Sequence, residues 1–434
     1  MVTWSTKTGA VAIVSGARTP FTKSGTALRQ VHVTELAQIA LRETLSRAGW
    51  PAARLDEVIL GNVALPADAT NPARVAAIYA GVPASVPALT VQRNCASGME
   101  SIAQAAFRIQ SGQATAILAG GAESMSTIPL LMPTEALEPM ATLFKARSPW
   151  QKLVALSAFR PRHFRPLAGL ELGLTDPTCG LIMGKTAEIL AGEFGISRDE
   201  QDQFALKSHQ KATDAIDAGE FDQQITPVYA GDRFQAVCRD IGPRADQSSK
   251  ALARLKPIFD RRNGSVTVGN SCQITDGAVA LLLMDSRIAR SEGLEVLGYV
   301  RASATAGLDP KRMGLGPVLA IDQLLQSTGL ALEKIDLFEI NEAFAAQVLA
   351  CHKAMSSDSF AQQYLGRSRA IGVLDPERVN IHGGAIALGH PVGATGTRIV
   401  LNLLMAMKKR NVEFGIASLC VGGGQGAAIC IQNN

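Results

Sequence analysis

Two residues of this chain could form a nucleophile and its base. Cys95 stands in N-C-A-S-G-M-E-S, with small residues and a glycine beside the sulfur, and Met99, Ile102, Ala103 and Ala106 mark the buried face of the helix that follows. A thiolate is a far better nucleophile than a thiol, and the free amides and dipole of a helix start favour the anion. A cysteine in that place is often only an inert core residue, so a second signal is needed. It comes from N-I-H-G-G-A-I-A-L-G-H-P-V-G-A-T-G-T-R, residues 380–398. Such a glycine density between a strand and a helix predicts close backbone approach to a ligand. Neither the lysine and Ser/Thr order of a P-loop nor G-x-G-x-x-G is present, which argues against a phosphate cradle. His390, at the helix start and followed by Pro391 at a favoured first position, is the natural general base. The chemistry these two predict is acyl transfer, with Cys95 attacking a carbonyl carbon and carrying the acyl group as a thioester.

The elements that must hold these residues read as an α/β protein. Short apolar runs at Val11–Val14, Glu57–Leu60, Ala116–Ala119, Ala278–Met284, Leu337–Ile340 and Ile416–Leu419 predict strands, and Val33–Ala48, Met99–Gln110, Glu342–Lys353 and Thr397–Lys409 predict helices. That alternation predicts buried, parallel or mixed sheets. The two ends of the chain also repeat one pattern. Cys95 is followed by Gly98, a helix and A-I-L-A-G-G-A-E; His390 is followed by Gly393, a helix and I-A-S-L-C-V-G-G-G-Q. A duplicated unit follows, with Cys95 and His390 at equivalent helix starts that could face each other.

From about Pro133 to Leu255 the strand rhythm fades, which predicts an inserted domain carried by the first half. Within it, 145–165 holds Lys145, Arg147, Lys152, Arg160, Arg162 and Arg165 with no acidic residue, interleaved with Phe144, Trp150, Phe159 and Phe164. A basic amphipathic segment of this kind fits an anionic membrane surface, an acidic partner or a solvated lid. The bulk composition constrains the rest. With 434 residues, 47% of them apolar and 18% charged, the chain can bury sizeable cores, and its net charge of +4 with 5% aromatics gives no support to nucleic-acid binding. Seven cysteines without a C-x-x-C pair predict reduced thiols in a cytosol-like compartment and no structural zinc. Residues 1–9 lack a charged leader followed by an apolar core, and no segment has the apolar length of a membrane span. The expected location is cytoplasmic, with a mitochondrial matrix as the alternative.

Across nearly its whole length the chain resembles the thiolases, which cleave or form 3-ketoacyl-coenzyme A. The motifs that carry the resemblance are G-A-R-T-P-F at 16–21, N-C-A-S-G at Cys95, A-G-G-A-E-S-M at 119–125 and M-G-K-T-A-E at 183–188, then G-N-S-C-Q-I-T-D-G-A at 269–278, N-E-A-F-A at 341–345, G-G-A-I-A-L-G-H-P-V-G-A-T-G and C-V-G-G-G-Q-G at 420–426. The resemblance implies two duplicated halves, 1–290 and 291–434, with mixed five-stranded sheets layered α/β/α/β/α and a loop domain inserted at about 133–255. It implies Cys95 as nucleophile, His390 as its base, and Cys420 as the second cysteine that protonates the acetyl-CoA enolate and later deprotonates coenzyme A. Asn341 would hold a water that joins His390 at the enolate oxygen, and the backbone amides of Cys95 and Gly422 would hold the thioester oxygen. Substrate and coenzyme A contacts are expected at Met183, Ser271, Cys272 and Gly389. Coenzyme A is then a substrate, and no cofactor or metal is expected.

Where short-chain thiolases tend to carry a histidine before this Met-Gly, the chain has Ile182, which looks like room for a longer acyl tail; Cys272 replaces a serine that usually contacts pantetheine. The basic stretch 145–165 is similar in position to the membrane-facing loop of thiolases in fatty-acid oxidation complexes. The expectation is therefore a degradative 3-ketoacyl-CoA thiolase, a homodimer or homotetramer, with a hydratase/dehydrogenase subunit as a potential partner and a peripheral membrane contact through 145–165. Alternatives are acetyl-CoA C-acetyltransferase and a silent thiolase-like scaffold; a β-ketoacyl synthase is disfavoured because it would carry a histidine where Asn341 stands.

Overall fold

A computed structural model of the chain describes residues 2–3 and 10–433; the reading made of residues 1–9 lies largely outside them. The first half supplies β1 (Val11–Arg18), β2 (Glu57–Gly61), β3 (Ala88–Val91), β4 (Ala116–Ser124) and β5 (Thr275–Asp285). The second supplies β6 (Gly298–Gly307), β7 (Leu337–Ile340), β8 (Phe414–Val421) and β9 (Gln425–Gln432). Hydrogen bonds link them in the order β7-β8-β9-β6-β1-β5-β4-β2-β3. In the first half β2 runs parallel to β3 and β4, and β5 runs antiparallel to β4 and β1. The second half repeats this: β7 is parallel to β8, and β9 antiparallel to β8 and β6, with an isolated parallel bridge from Phe338 to Val379 where β3 would stand. Three antiparallel pairs, Ile13–Gly298, Ala12–Tyr299 and Val11–Val300, join β1 to β6, so the halves share one sheet, which the two-residue strands Val2–Thr3 and Thr22–Lys23 bring to 11 strands among the described residues.

A side-chain detail repeats with the topology. Asp56, before β2, accepts from the backbone N–H groups of Thr115 (2.6 Å) and Ala116 (2.9 Å); Asp336, before β7, accepts from Glu413 (3.1 Å) and Phe414 (2.9 Å). Each aspartate pins the start of a parallel strand to its neighbour. The expected duplication is thus written in register and in side chains.

The helices make three apolar cores out of this sheet. Helices α1 (Val33–Ala48) and α2 (Pro72–Tyr79) cover one face of the first half, α3 (Ser97–Gln110) lies on the other, and α4 (Met183–Glu193) and α5 (Arg198–Asp217) follow. In the second half α6 (Gly316–Thr328) and α7 (Ala345–Met355) cover the outer face, and α8 (Val392–Arg410) lies inside with α3. Along β5, Ala278, Ala280, Leu282 and Met284 join the α1/α2 core, while Val279, Leu281 and Leu283 join the inner core with α3 and α8. Along β9, Ala427, Ile429 and Ile431 face the inner core and Ala428 and Cys430 the α6/α7 core. Strands buried on both faces carry apolar residues at every position, which is why they read as unbroken runs.

Contacts divide the chain into two compact units, Met1–Thr127 with Asp176–Asn434, and Ile128–Thr175. Of the stretch expected as an insertion, residues 176–255 therefore pack with the larger unit. Asp240 forms a buried ion pair with Arg18 (2.7 Å), and Ser208 on α5 donates to Glu342 (2.6 Å). The smaller unit has helices Leu137–Lys145 and Pro149–Ser157, the second opened by a capping box of Ser148 and Gln151. Its apolar side chains lie largely outside any core: Phe144 is 82% exposed and Trp150 71%. No helix among the described residues is long and apolar enough to cross a membrane.

Glycines bring α3 and α8 together. A Cβ at Gly121 would collide with the carbonyl oxygen of Gly393, one at Gly98 would lie 2.6 Å from Thr397 Oγ1, and one at Gly396 would strike Met99. Thr397 Oγ1 donates to the Gly98 carbonyl at 2.9 Å. Gly121→Ala is expected to cost about 3 kcal/mol, the upper range for overpacking, because its obstacle is backbone that cannot rotate away. Urea unfolding measures this, and a loss below about 1 kcal/mol would show that the helix can shift.

Candidate active site

Cys95 lies two residues ahead of α3, in a turn made by Asn94, whose φ of 43° puts it in the left-handed region that asparagine tolerates. Two bonds fix this turn. Ser97 Oγ donates to the Asn94 carbonyl (2.7 Å), and Asn94 Nδ2 donates to the Gly422 carbonyl (2.8 Å), tying the Cys95 turn to the turn between β8 and β9. Burial pushes the Cys95 thiol up, and the backbone N–H groups of Gly422 and of Cys95 itself pull it down by bonding the sulfur. Burial wins. The helix start does not by itself yield a thiolate, contrary to the expectation from the dipole, and a base is required.

His390 lies two residues ahead of α8, and its ring is buried. Thr395 Oγ1 donates its one proton to the Pro391 carbonyl (2.9 Å), so it can only accept from the His390 Nδ1–H at 2.6 Å. This assigns the tautomer: Nδ1 carries the proton, and Nε2 holds a free lone pair. Nε2 is buried without a protein partner. Burial, aided by the buried cation of Arg398, pushes His390 down to about 3, so the ring is neutral at physiological pH. A neutral imidazole with one free, desolvated nitrogen is a proton acceptor.

Three thiols share the space. Cys420, at the end of β8, is pushed well above its ordinary value by burial and then by Cys95, Cys351 and Cys272. Cys272 is pushed up to about 12 by burial first and Cys95 second. Cys95 thus acts electrostatically on Cys272 and Cys420, and Cys272 on Cys420, and burial keeps each of the three a neutral thiol at rest. Asn341 is anchored through its backbone N–H to Ser418 (2.9 Å), and both its side-chain polar atoms are buried without a protein partner, as a water-holding amide requires.

The other expected contacts divide. Met183, at the start of α4, places its sulfur 3.3 Å from where a Gly422 Cβ would sit, so it faces the same turn. Ser271 turns away, donating to the Thr267 carbonyl at 2.7 Å. Gly389, at φ 98°, lets the chain pass Thr275, whose side chain would meet any Cβ there. The glycines of 380–398 therefore serve contact between chain segments: Gly384 lies on Glu342, Gly383 on α5, and Gly393 on the backbone beside Asn62. Close approach was the correct inference from their density; its object is largely protein.

Three further residues hold the site; they lie within the quoted motifs but were given no role there. Gln273 accepts the His390 N–H with its carbonyl (3.0 Å), while its side chain donates to the carbonyls of Gly242, Ile386 and Ala387. Thr395 sets the tautomer. Glu123 is a buried acid in β4, and the signal was present as the one charge in A-I-L-A-G-G-A-E-S.

A family model described as the thiolase N-terminal domain matches residues 11–287, and one described as the thiolase C-terminal domain matches 294–433. The chain is 38% identical over 423 residues to a 3-ketoacyl-CoA thiolase of Yersinia enterocolitica, covering 97% of this chain and 96% of the relative. It is 40% identical over 428 residues to an acetyl-CoA acetyltransferase of Pseudomonas aeruginosa, covering 98% and 99%. Among solved structures, the acetyl-CoA acetyltransferase of Bacillus anthracis superposes with a TM-score of 0.86 at 40% identity, over 99% of this chain and 100% of that one. Human mitochondrial 3-ketoacyl-CoA thiolase in complex with CoA gives 0.85 at 33%, over 98% of each.

Proposed function

We infer the reaction from family and geometry together: this chain belongs to the thiolase family, and it works as a 3-ketoacyl-CoA thiolase. Two observations support the chemistry: a neutral His390 with a free Nε2 and a Cys95 thiol that cannot ionise unaided stand at the starts of two helices that touch through Gly98 and Thr397. In cleavage, His390 Nε2 takes the Cys95 proton and the sulfur attacks the 3-keto carbon. The backbone amides of Cys95 and Gly422 receive the oxyanion. The bond between C2 and C3 breaks, leaving an acyl group on Cys95 and the enolate of acetyl-CoA, whose oxygen faces His390 and a water on Asn341. Cys420 gives its proton to C2. The Cys420 thiolate then takes the proton of coenzyme A, whose sulfur attacks the thioester. Shortened acyl-CoA departs and Cys95 recovers its proton from His390.

Coenzyme A and acyl-CoA are accordingly the substrates, and no other group takes part in these steps. The same residues serve condensation, and relatives named acetyl-CoA acetyltransferase keep the synthesis of acetoacetyl-CoA as the second reading. Loss of enolate absorbance from 3-ketoacyl-CoA substrates of increasing chain length, with coenzyme A added, decides between them. Cleavage that rises with chain length supports the fatty-acid role; confinement to acetoacetyl-CoA transfers the chain to the second reading; no cleavage at any length leaves a scaffold.

The exposed apolar and basic side chains of 145–165 support a peripheral contact with an anionic bilayer for an otherwise cytoplasmic homo-oligomer, where a hydratase/dehydrogenase subunit could also dock. In liposome flotation with anionic lipid the native protein is expected to float, and the triple variant Lys145→Glu, Arg147→Glu, Lys152→Glu to lose most of that binding at about 1 kcal/mol per charge. Equal flotation of both forms, or of neither, removes the membrane contact.

A further inference from the structure

Glu123 is 1% exposed and has no cation against it among the described residues, yet its four lone-pair directions are all filled. Oε1 accepts from Asn62 Nδ2 (3.0 Å) and the Ala64 N–H (3.1 Å); Oε2 accepts from the Val63 N–H (3.1 Å) and the Gly393 N–H (2.9 Å). These donors come from two places that matter. Residues 62–64 continue β2, whose Gly61 packs directly on the Ser97–Gly98 backbone beside Cys95. Gly393 belongs to the first turn of α8, three residues past His390. One carboxylate therefore clamps the segment that supports the nucleophile turn to the helix start that carries the base.

We propose that Glu123 is a positioning residue for the Cys95–His390 pair, holding the two helix starts in reacting register through its ionised carboxylate. The proposal rests on the reading of Cys95 and His390 as nucleophile and base. All four donors are N–H groups, so a protonated Glu123 would direct an O–H at one of them and break that contact. Burial pushes Glu123 up to about 7 against the pull of those four bonds, which puts the change near neutral pH. Around the carboxyl, residues 62–64 and Gly393 present only neutral donors, and Cys95 is the ionisable neighbour that feels its charge. Because the buried value lies above the ordinary 4.5, this group's contribution to stability is full below 4.5 and lost as pH rises through about 7. The clamp strengthens over the same interval, so activity is expected to rise while stability declines. His390, at about 3, cannot produce a change near neutrality.

The test reads alkylation of Cys95 by iodoacetamide from pH 5 to 9, which does not depend on the identity of the acyl substrate. A thiol held high loses reactivity with falling pH by itself, and the Glu123 charge raises the Cys95 thiol further; the native rate is expected to fall through about 7 more steeply than that ionisation alone requires, and this extra fall is the acid limb. In Glu123→Gln, whose amide group opposes N–H donors at every pH, that acid limb should vanish and kcat should drop about 10²-fold with KM nearly unmoved, the cost of a small misplacement of reacting groups. Asn62→Ala removes one donor and should move the limb to higher pH; this second variant decides the matter if Glu123→Gln does not fold. A native profile without the limb, a Glu123→Gln profile that keeps it, or an unmoved limb in Asn62→Ala overturns the proposal. Failure to cleave 3-ketoacyl-CoA with the limb intact would instead overturn the substrate assignment alone.

Discussion

Cys95→Ala is expected to lower coenzyme A-dependent cleavage by about 10⁴-fold or more, in line with removal of a covalent nucleophile from a cooperating set. The site gives no substitute. Cys272 and Cys420 are thiols in the same space, but burial and the neighbouring sulfurs hold both well above the ordinary range. Each of the three sulfurs receives its own amide, and Cys95 receives that of Gly422 as well. Intact mass measured after mixing with a 3-ketoacyl-CoA and no coenzyme A should show one acyl adduct on the native chain and none on the variant. A variant that retains more than about a hundredth of the native rate would sink the covalent reading.

The second large effect is at His390. His390→Ala should lower kcat by about 10³-fold, within the usual range for a general base, and should slow alkylation of Cys95 at pH 7 because the thiol loses its proton acceptor. Thr395→Val keeps the shape of the side chain and removes the acceptor of the Nδ1–H. It frees the ring to adopt the wrong tautomer and should cost about tenfold, the equivalent of one hydrogen bond. The stability signature is independent of rate. His390 lies at about 3 in the fold against an ordinary 6.5. A depressed value gives stability that is complete above 6.5 and is lost as pH falls toward 3, so the native protein should lose stability over that interval more steeply than His390→Ala. Equal slopes would mean that the ring is hydrated.

How much of this was legible depends on what each residue answers to. Leu337–Ile340 and Val33–Ala48 match the sequence reading to the residue, because buried strands and amphipathic helices show their burial as apolar periodicity. Helix α7 begins at Ala345 where Glu342 was expected. Glu342 is occupied elsewhere, accepting from Ser208 (2.6 Å), Asn380 (2.9 Å) and Ile386 (3.2 Å), and long-range partners of this kind leave no local trace. Cys95 and His390 were legible as candidates because glycine and small residues surround them. The state of each was not: burial raised one and depressed the other, and burial depends on segments hundreds of positions away. Gln273 and Thr395 act through one backbone carbonyl and one hydroxyl lone pair, which no composition betrays.

The repeated frame has a consequence for polarity. Counting from the paired aspartates, Asn341 stands where the first half has Gly61, and Cys420 where it has Ala122; counting from the helix starts, His390 stands opposite Cys95. The two halves thus set different residues at matching positions of one frame. Three side-chain differences at those positions break the likeness, so the frame is repeated while the set of polar and sulfur groups it carries is not.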